Sequence, residues 1–536
     1  MKEERIKVSG IGYWVTKRAQ LSNNKVAVIF KNQKLTYSQL NSRINCLANG
    51  LTRSGVEKGT RVAVFLLNGN EILEAMFACA KIGAIFVPLN FRLSVEEVVH
   101  ILNDCGATVF LYQSECAPFA YEIRNKTFVS YIINAGNQTL DDNAQYEAFL
   151  ARNADTEPDV NVDGEEVHMI MYTSGTTGRP KGAMLTHANM FWNIIQVLIA
   201  HPILETDTTF TVAPMFHSGA MTILTLPLLY KGGTVFIDNR FDPIRVLATI
   251  EYEKITCMFM VPSMWQAVTQ VADFAEYQLR SLRLTISAGA PCPVTVIKLL
   301  QENGISLIQQ FGLTEAAPVT ILNIRDAARK MGSVGKAAFY ADVRILNKSG
   351  KDASSGEVGE LVVRAPNVMI GYWKKPQATQ DVLQNGWFST GDCARCDEEG
   401  YIYIEGRKKD VIITGGENVY PVEVEQVLYR HPNIKEAAVI GVPDDKWGEA
   451  IKAVIVLKDS SWKLSIADIK VFCEDKLARY KMPKILEIVA ALPRNAAGKV
   501  MNNYLRRNQV ELPSATQTAT PIFANPTMHR KEAMRE

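Results

Sequence analysis

The chain has 536 residues, 47% hydrophobic and 21% charged, which at ordinary domain size means about two to four structural units. A formal net charge of +2 with no basic block excludes an electrostatic case for nucleic acid. Met1-Lys-Glu-Glu-Arg-Ile-Lys lacks the apolar core of a signal peptide, runs such as Ala220–Tyr230 are too short to span a bilayer, and the scattered cysteines read as reduced thiols, so a cytoplasmic compartment is expected.

Near the start, Thr36-x-x-Gln39 has the form of a capping box, and Leu40, Ile44, Leu47 and Leu51 follow at helical spacing. Val62–Leu67 reads as a buried strand, Glu71–Ile82 as a helix, and Ala84–Val87 as a strand closed by Pro88, which together make a βαβ unit. Ser94-x-x-Glu97 caps a further helix to about Asp104, Gly106 ends it, and Ala107–Tyr112 returns as a strand. This alternation predicts an α/β fold with mostly parallel sheets flanked by helices. From Asp141 to Asp163 the chain turns polar and aperiodic, as a surface excursion would.

The stretch that follows carries the chemistry. His168–Tyr172 reads as a buried strand, and Thr173–Gly182 then packs three glycines, four hydroxyls and Lys181 into one loop, a composition suited to a polyphosphate. It is not a Walker A loop, because Lys181 is followed by Gly182 rather than by Ser or Thr. Thr186 then caps a helix with Met190, Ile194 and Leu198 on one face. Strands are expected at Thr209–Ala213, Gly233–Ile237, Cys257–Val261, Arg283–Ser287 and Ser306–Gln310, with a helix at Val294–Glu302. No Gly-x-Gly-x-x-Gly follows any of them, so a dinucleotide oxidoreductase finds no support.

Short strands with frequent turns between Gly332 and Tyr403 predict a small β-rich module, at about 332–405. Beyond Arg407 the βα character returns, with strands at Ala437–Val442, Lys452–Leu457 and Ile485–Val489 and a helix opened by Ser465. Residues 513–536, rich in Thr, Ala, Pro and charge, are expected to be disordered. Cys393 and Cys396 form a lone CxxC without a second pair, so no zinc site is expected.

The run Tyr172-Thr-Ser-Gly-Thr-Thr-Gly-x-Pro-Lys-Gly182 resembles the signature of the adenylate-forming (ANL) superfamily, and further motifs follow in that family's order up to Arg506. The resemblance implies an AMP-binding domain at 1–406 and a mobile α+β domain at 407–512, with a hinge at 407–410. It assigns Thr173, Ser174, Gly175, Thr176, Thr177, Gly178 and Lys181 to ATP phosphates. Gln309-Gln310-Phe311-Gly312-Leu-Thr314-Glu315 resembles the Tyr-Gly-x-Thr-Glu motif. There Glu315 with Thr176 would hold Mg²⁺, Thr314 would bond the α-phosphate, and Phe311, in place of the usual tyrosine, would lie on the adenine. Ser287–Pro291, with Gly289 and Ala290, resembles the loop on the adenine's other side.

By the same resemblance, Asp392 in Ser389-Thr-Gly-Asp would take the ribose hydroxyls, Arg407 the ribose and phosphate, and Lys409 the pivot position. Gly415, Gly416 and Trp447 would meet coenzyme A, the tryptophan reading equally as a packing residue. Lys499 in Pro493-Arg-Asn-Ala-Ala-Gly-Lys would be the adenylation lysine. His217, in Ala213-Pro-Met-Phe-His-Ser-Gly219, stands where amino-acid adenylation domains carry an aspartate for the substrate ammonium, and it would flank the acid's carboxylate. Met215, Phe216, Met221 and Met258–Trp265 suit an apolar acid, or else are plain core.

The closest resemblance is to bacterial medium- and long-chain fatty acyl-CoA synthetases, with aryl-CoA ligases next. An enzyme that loads a carrier protein is the other alternative. ATP, Mg²⁺ and coenzyme A are the implied cofactors. No nucleic acid is implied as a partner, and peripheral membrane contact and a homodimer are left open.

Overall fold

Helix starts lie where the hydroxyl residues put them. Thr36, Ser94, Thr186 and Ser465 each accept the backbone N–H three residues on, while the side chain there bonds back to the cap, closing four capping boxes. In the first helix, Tyr37–Arg53, the apolar stripe Leu40, Ile44, Leu47 and Leu51 is buried throughout. The computed structural model describes residues 10–115, 120–136, 144–173, 180–494 and 499–507. The expected disordered tail therefore lies outside the described residues, as do Ser174, Gly175, Thr176, Thr177 and Gly178 of the phosphate loop.

Two large sheets form the bulk of the chain. In one, the parallel strands are Val167–Thr173, Ile85–Pro88, Arg61–Phe65, Val109–Tyr112, Tyr131–Asn134 and Ala144–Gln145, in that spatial order. Lys181–Thr186 and Gly371–Tyr372 extend its Val167 edge in antiparallel fashion. In the other, six parallel strands run from Val26–Phe30 to Leu307–Leu313 with antiparallel edges. The helix Asn70–Ile82 is buried on nearly every side, because one core cluster takes residues from both sheets. A second cluster covers the first sheet's opposite face. The phosphate loop, the 287–291 turn and Glu315 all leave the carboxyl ends of strands in these sheets, which is where open α/β folds place ligands.

The β-rich module is an antiparallel five-stranded sheet whose longest member is Trp387–Cys396. The small domain is a five-stranded sheet with apolar clusters on both faces. Fold class and order therefore follow the sequence reading, with one local difference. The 141–163 stretch is more than a surface excursion, since it contains the helix Tyr146–Ala151 with Tyr146, Phe149 and Leu150 buried. Tyr146 donates to Glu74 Oε2 at 2.6 Å, and Glu74 is also held by Arg43 at 2.7 Å and Asn70 at 2.8 Å.

Removing the Tyr146 hydroxyl leaves a fully buried carboxylate one donor short. Tyr146→Phe is expected to lower stability by about 1–3 kcal/mol, read from urea unfolding monitored by tryptophan fluorescence; an unchanged midpoint would show that the contact is dispensable.

Candidate active site

Asp392 and Arg407 stand directly opposite each other on neighbouring strands, and their side chains pair at 2.8 Å. Gly391, at φ 70°, adopts the left-handed backbone just before the carboxylate. Asp392 is buried and its Oδ2 has no hydrogen-bond partner among the described residues, so one carboxylate oxygen can accept from a diol. Burial pushes its carboxyl up, while Arg407 and Lys499 pull it down. Lys499 lies in the same field: burial and Arg407 hold its ammonium below the usual lysine range, against Asp392 and Glu315. Two carboxylates and two cations from distant sequence positions thus share one cleft.

Glu315 sits on the turn between the strands Leu307–Leu313 and Ala316–Ile321, a hairpin rather than a helix start. Its Oε1 accepts the Tyr372 hydroxyl at 2.9 Å and the Thr173 hydroxyl at 3.5 Å. Burial, then the Glu315 charge, raises the Tyr372 phenol far above its ordinary range, so it stays a donor. Lys181 faces Thr173 across the ladder and holds its ammonium 5.3 Å from the centre of the Tyr372 ring. One carboxylate with neighbouring hydroxyls, and no sulfur or imidazole, is a hard-oxygen set that fits Mg²⁺ with phosphates completing its shell.

Gly289 and Ala290 are exposed and, with Pro291, Gln426, Tyr429 and Lys499, line a cleft of about 110 Å³ between the two domains. Gln309 behaves differently from what its motif suggests. Its side chain accepts from Cys292 N at 2.8 Å and donates to the Ser333 carbonyl at 3.4 Å, so it braces the adenine loop from behind. Gln310 is likewise buried, while Phe311, Gly312 and Thr314 remain half-exposed.

His217 Nε2 is buried without a hydrogen-bond partner among the described residues, and its ring is 4.3 Å from that of Phe216, which packs edge-on against Phe91 at 5.3 Å. Two residues on, Gly219 lies so close to Phe259 that an added Cβ would meet the ring at 3.3 Å. Met215, Met221 and Met258 are fully buried and the Trp265 indole donates to the Ile286 carbonyl, so these four are core rather than pocket wall.

The remaining expected residues lie elsewhere. Lys408 pairs with Glu360 of the β-rich module at 2.7 Å, whereas Asp410 pairs with Arg506 of the last described helix at 2.8 Å. Between them Lys409 is exposed and has no ion pair among the described residues. Gly415 donates to the Trp447 carbonyl at 2.8 Å; its φ of 60° and the indole, 2.9 Å from a notional Cβ, both demand glycine. Trp447 is 42% exposed with Lys484 4.4 Å from its ring. Gly415, Gly416 and Trp447 thus form a patch on the small domain. Cys393 and Cys396 lie on one strand, and no cluster of three or more His, Cys, Asp or Glu side chains that could hold a metal occurs among the described residues.

Burial, then the Lys499 and Arg92 charges, lowers the His217 imidazole to about 4 from 6.5. Between those values the unfolded chain binds a proton that the folded one refuses. The stability is therefore complete above pH 6.5 and is lost as pH falls through about 4. His217→Asn is expected to make the urea midpoint decline less steeply from pH 7 to about pH 4.5 than in the parent; parallel declines would contradict this.

The chain matches the AMP-binding enzyme family over residues 15–373 and the AMP-binding enzyme C-terminal domain over residues 423–499. It is 42% identical over 499 residues to a feruloyl-CoA synthase of an Amycolatopsis species, spanning 93% of this chain and 99% of that one. To the long-chain-fatty-acid–CoA ligase FadD13 of Mycobacterium tuberculosis it is 37% identical over 507 residues, spanning 93% and 98%. The solved o-succinylbenzoate CoA synthetase of Bacillus subtilis, in complex with its acyl-adenylate intermediate, superposes with a TM-score of 0.82 at 31% identity, over 92% of this chain and 97% of that one. The chain therefore belongs to the AMP-binding enzymes of the adenylate-forming superfamily, and it is an acyl- or aryl-CoA ligase, an acid–thiol ligase working with ATP, Mg²⁺ and coenzyme A.

Proposed function

We propose that this ligase activates an apolar, aryl-bearing carboxylic acid, with Lys499 as the adenylation lysine and the Asp392–Arg407 pair as the nucleotide clamp. The observation that carries the mechanism is the shared field of Lys499 and Arg407 with the buried carboxylates Asp392 and Glu315. A carboxylate oxygen attacks the α-phosphorus of ATP and pyrophosphate leaves. The Lys499 cation lies between two anions that repel each other until the bond forms, so its attraction is greatest in the transition state. Asp392 Oδ2 accepts from the ribose, Arg407 reaches ribose and phosphate, and Thr173, Lys181 and Thr314 take the phosphates. Glu315 and Thr176 would hold Mg²⁺, which would supply charge neutralisation at the phosphates. Phe311 lies on the adenine, and Gly289 and Ala290 border it.

The second half-reaction needs a different face of the small domain. Lys408 and Asp410 are anchored to opposite bodies, so rotation at Lys409 withdraws Lys499 and presents Gly415, Gly416 and Trp447. The thiolate of coenzyme A then attacks the acyl carbon and AMP leaves.

The aryl preference rests on the pocket walls. The Phe259 ring beside Gly219, and Phe216 with Phe91 behind His217, form flat apolar surfaces that match a planar acid. The likeness to a feruloyl-CoA synthase supports it. A fatty acid is the second reading, supported by the likeness to FadD13. ATP-dependent thioester formation with a panel of cinnamic-type and medium-chain acids, using coenzyme A and a carrier protein as rival acceptors, decides among these readings. Higher kcat/KM for the planar acids with coenzyme A is expected, and a preference for fatty acids would reverse the assignment.

Lys499→Ala is expected to lower acid-dependent pyrophosphate release by about 10²–10³-fold while leaving coenzyme A attack on supplied acyl-AMP intact. Equal loss of both steps would remove the role. Because the lysine is shifted below 10.5, the alkaline fall of adenylation should begin under that pH, and Lys499→Arg should move it upward; an unmoved limb in initial-rate profiles would assign it to another group.

A further inference from the structure

Tyr372 belongs to none of the motifs above, yet it touches both charged groups that face the triphosphate. Its hydroxyl and that of Thr173 converge on Oε1 of Glu315, at 2.9 and 3.5 Å, leaving Oε2 without a donor among the described residues. Its ring carries the Lys181 ammonium on its face, 5.3 Å from the centroid. The segment itself is firmly tied. Tyr372 pairs with Ala183 in the sheet, Trp373 N–H donates to the Gly182 carbonyl at 2.8 Å, Tyr372 N–H donates to Thr379 Oγ1 at 2.9 Å, and the Trp373 indole reaches the Asp104 carbonyl at 3.1 Å.

We propose that Tyr372 is a positioning residue that sets the Glu315 carboxylate for Mg²⁺ through its hydroxyl and the Lys181 cation for the triphosphate through its ring. A free carboxylate turns about its last bond and offers either oxygen. Fixing Oε1 from behind aims Oε2 in one direction, and a metal then meets a ligand already oriented. Lys181 sits on a flexible four-carbon stem, and the aromatic face restricts where its charge rests. One side chain on an antiparallel edge strand thereby registers the phosphate loop against the Glu315 hairpin.

The inference rests on reading Glu315 as the Mg²⁺ ligand, and the experiment separates the two. ATP binding is measured calorimetrically without acid, so that no turnover occurs, over a range of Mg²⁺ concentrations and in EDTA. Tyr372→Phe keeps the ring under Lys181 and removes only the hydroxyl. It is expected to raise the Mg²⁺ needed for half-maximal enhancement of binding by about 10-fold, with metal-free ATP binding unchanged. Tyr372→Leu removes both contacts and is expected to weaken metal-free binding as well. Glu315→Gln should shift the Mg²⁺ dependence at least as far as Tyr372→Phe. If Glu315→Gln shifts it and Tyr372→Phe does not, the positioning role is wrong. If Glu315→Gln shifts nothing, the metal assignment itself falls. Weakening by Tyr372→Phe that is equal with and without Mg²⁺ would mark a purely structural tyrosine and overturn the proposal. The phenylalanine variant decides the hydroxyl's part even if the leucine variant does not fold.

Discussion

The salt bridge between Asp392 and Arg407 is the contact around which the two domains are arranged. It lies in the module that ends the large domain, one strand before the chain crosses into the small one, so its geometry is set by a β ladder rather than by a loop. Burying a carboxylate costs solvation, and the Arg407 and Lys499 charges offset part of that cost at Asp392. Its second oxygen, without a hydrogen-bond partner among the described residues, suits a group that brings hydroxyl donors.

Charge balance also ties the pose of the small domain to the state of the cleft. In this pose Lys499 reaches the cluster, while Val294 N–H meets Gln426 at 3.2 Å and Gln266 meets the Lys435 carbonyl at 2.5 Å across the domain boundary. Trp447, in the turn between the strands Ile434–Asp444 and Gly448–Leu457, and Lys499 both belong to the small domain.

Much of this was legible in the residues. The helix starts at Thr36, Ser94, Thr186 and Ser465, the apolar stripe after Thr36 and the alternation of strands and helices could be read because local chemistry and tertiary structure agree there, and the helix Val294–Glu302 has the limits its sequence suggests. The helix Tyr146–Ala151 escaped because it is specified by a hydroxyl docking on Glu74, a contact 72 positions away that leaves no periodic trace. Tyr372 escaped for a similar reason: its partners, Glu315 and Lys181, are neighbours only once the sheet edge has formed. The motif residues divide as well. Asp392, Arg407, Glu315 and Lys499 converge, whereas the Gln309 side chain is bonded to Cys292 N–H and the Ser333 carbonyl, a distinction of side-chain direction that no spacing encodes.

The hinge turn has a consequence for how the chain can be handled. Asp410 is fastened by Arg506, and Leu505 beside it is buried in the small domain, so the final described helix rivets the 408–410 turn to that domain's core. A purification handle or fluorophore grafted directly after 507 would load that rivet, whereas one joined ahead of residue 10 would sit on the large domain, where Gly10 N–H bonds the Val162 carbonyl.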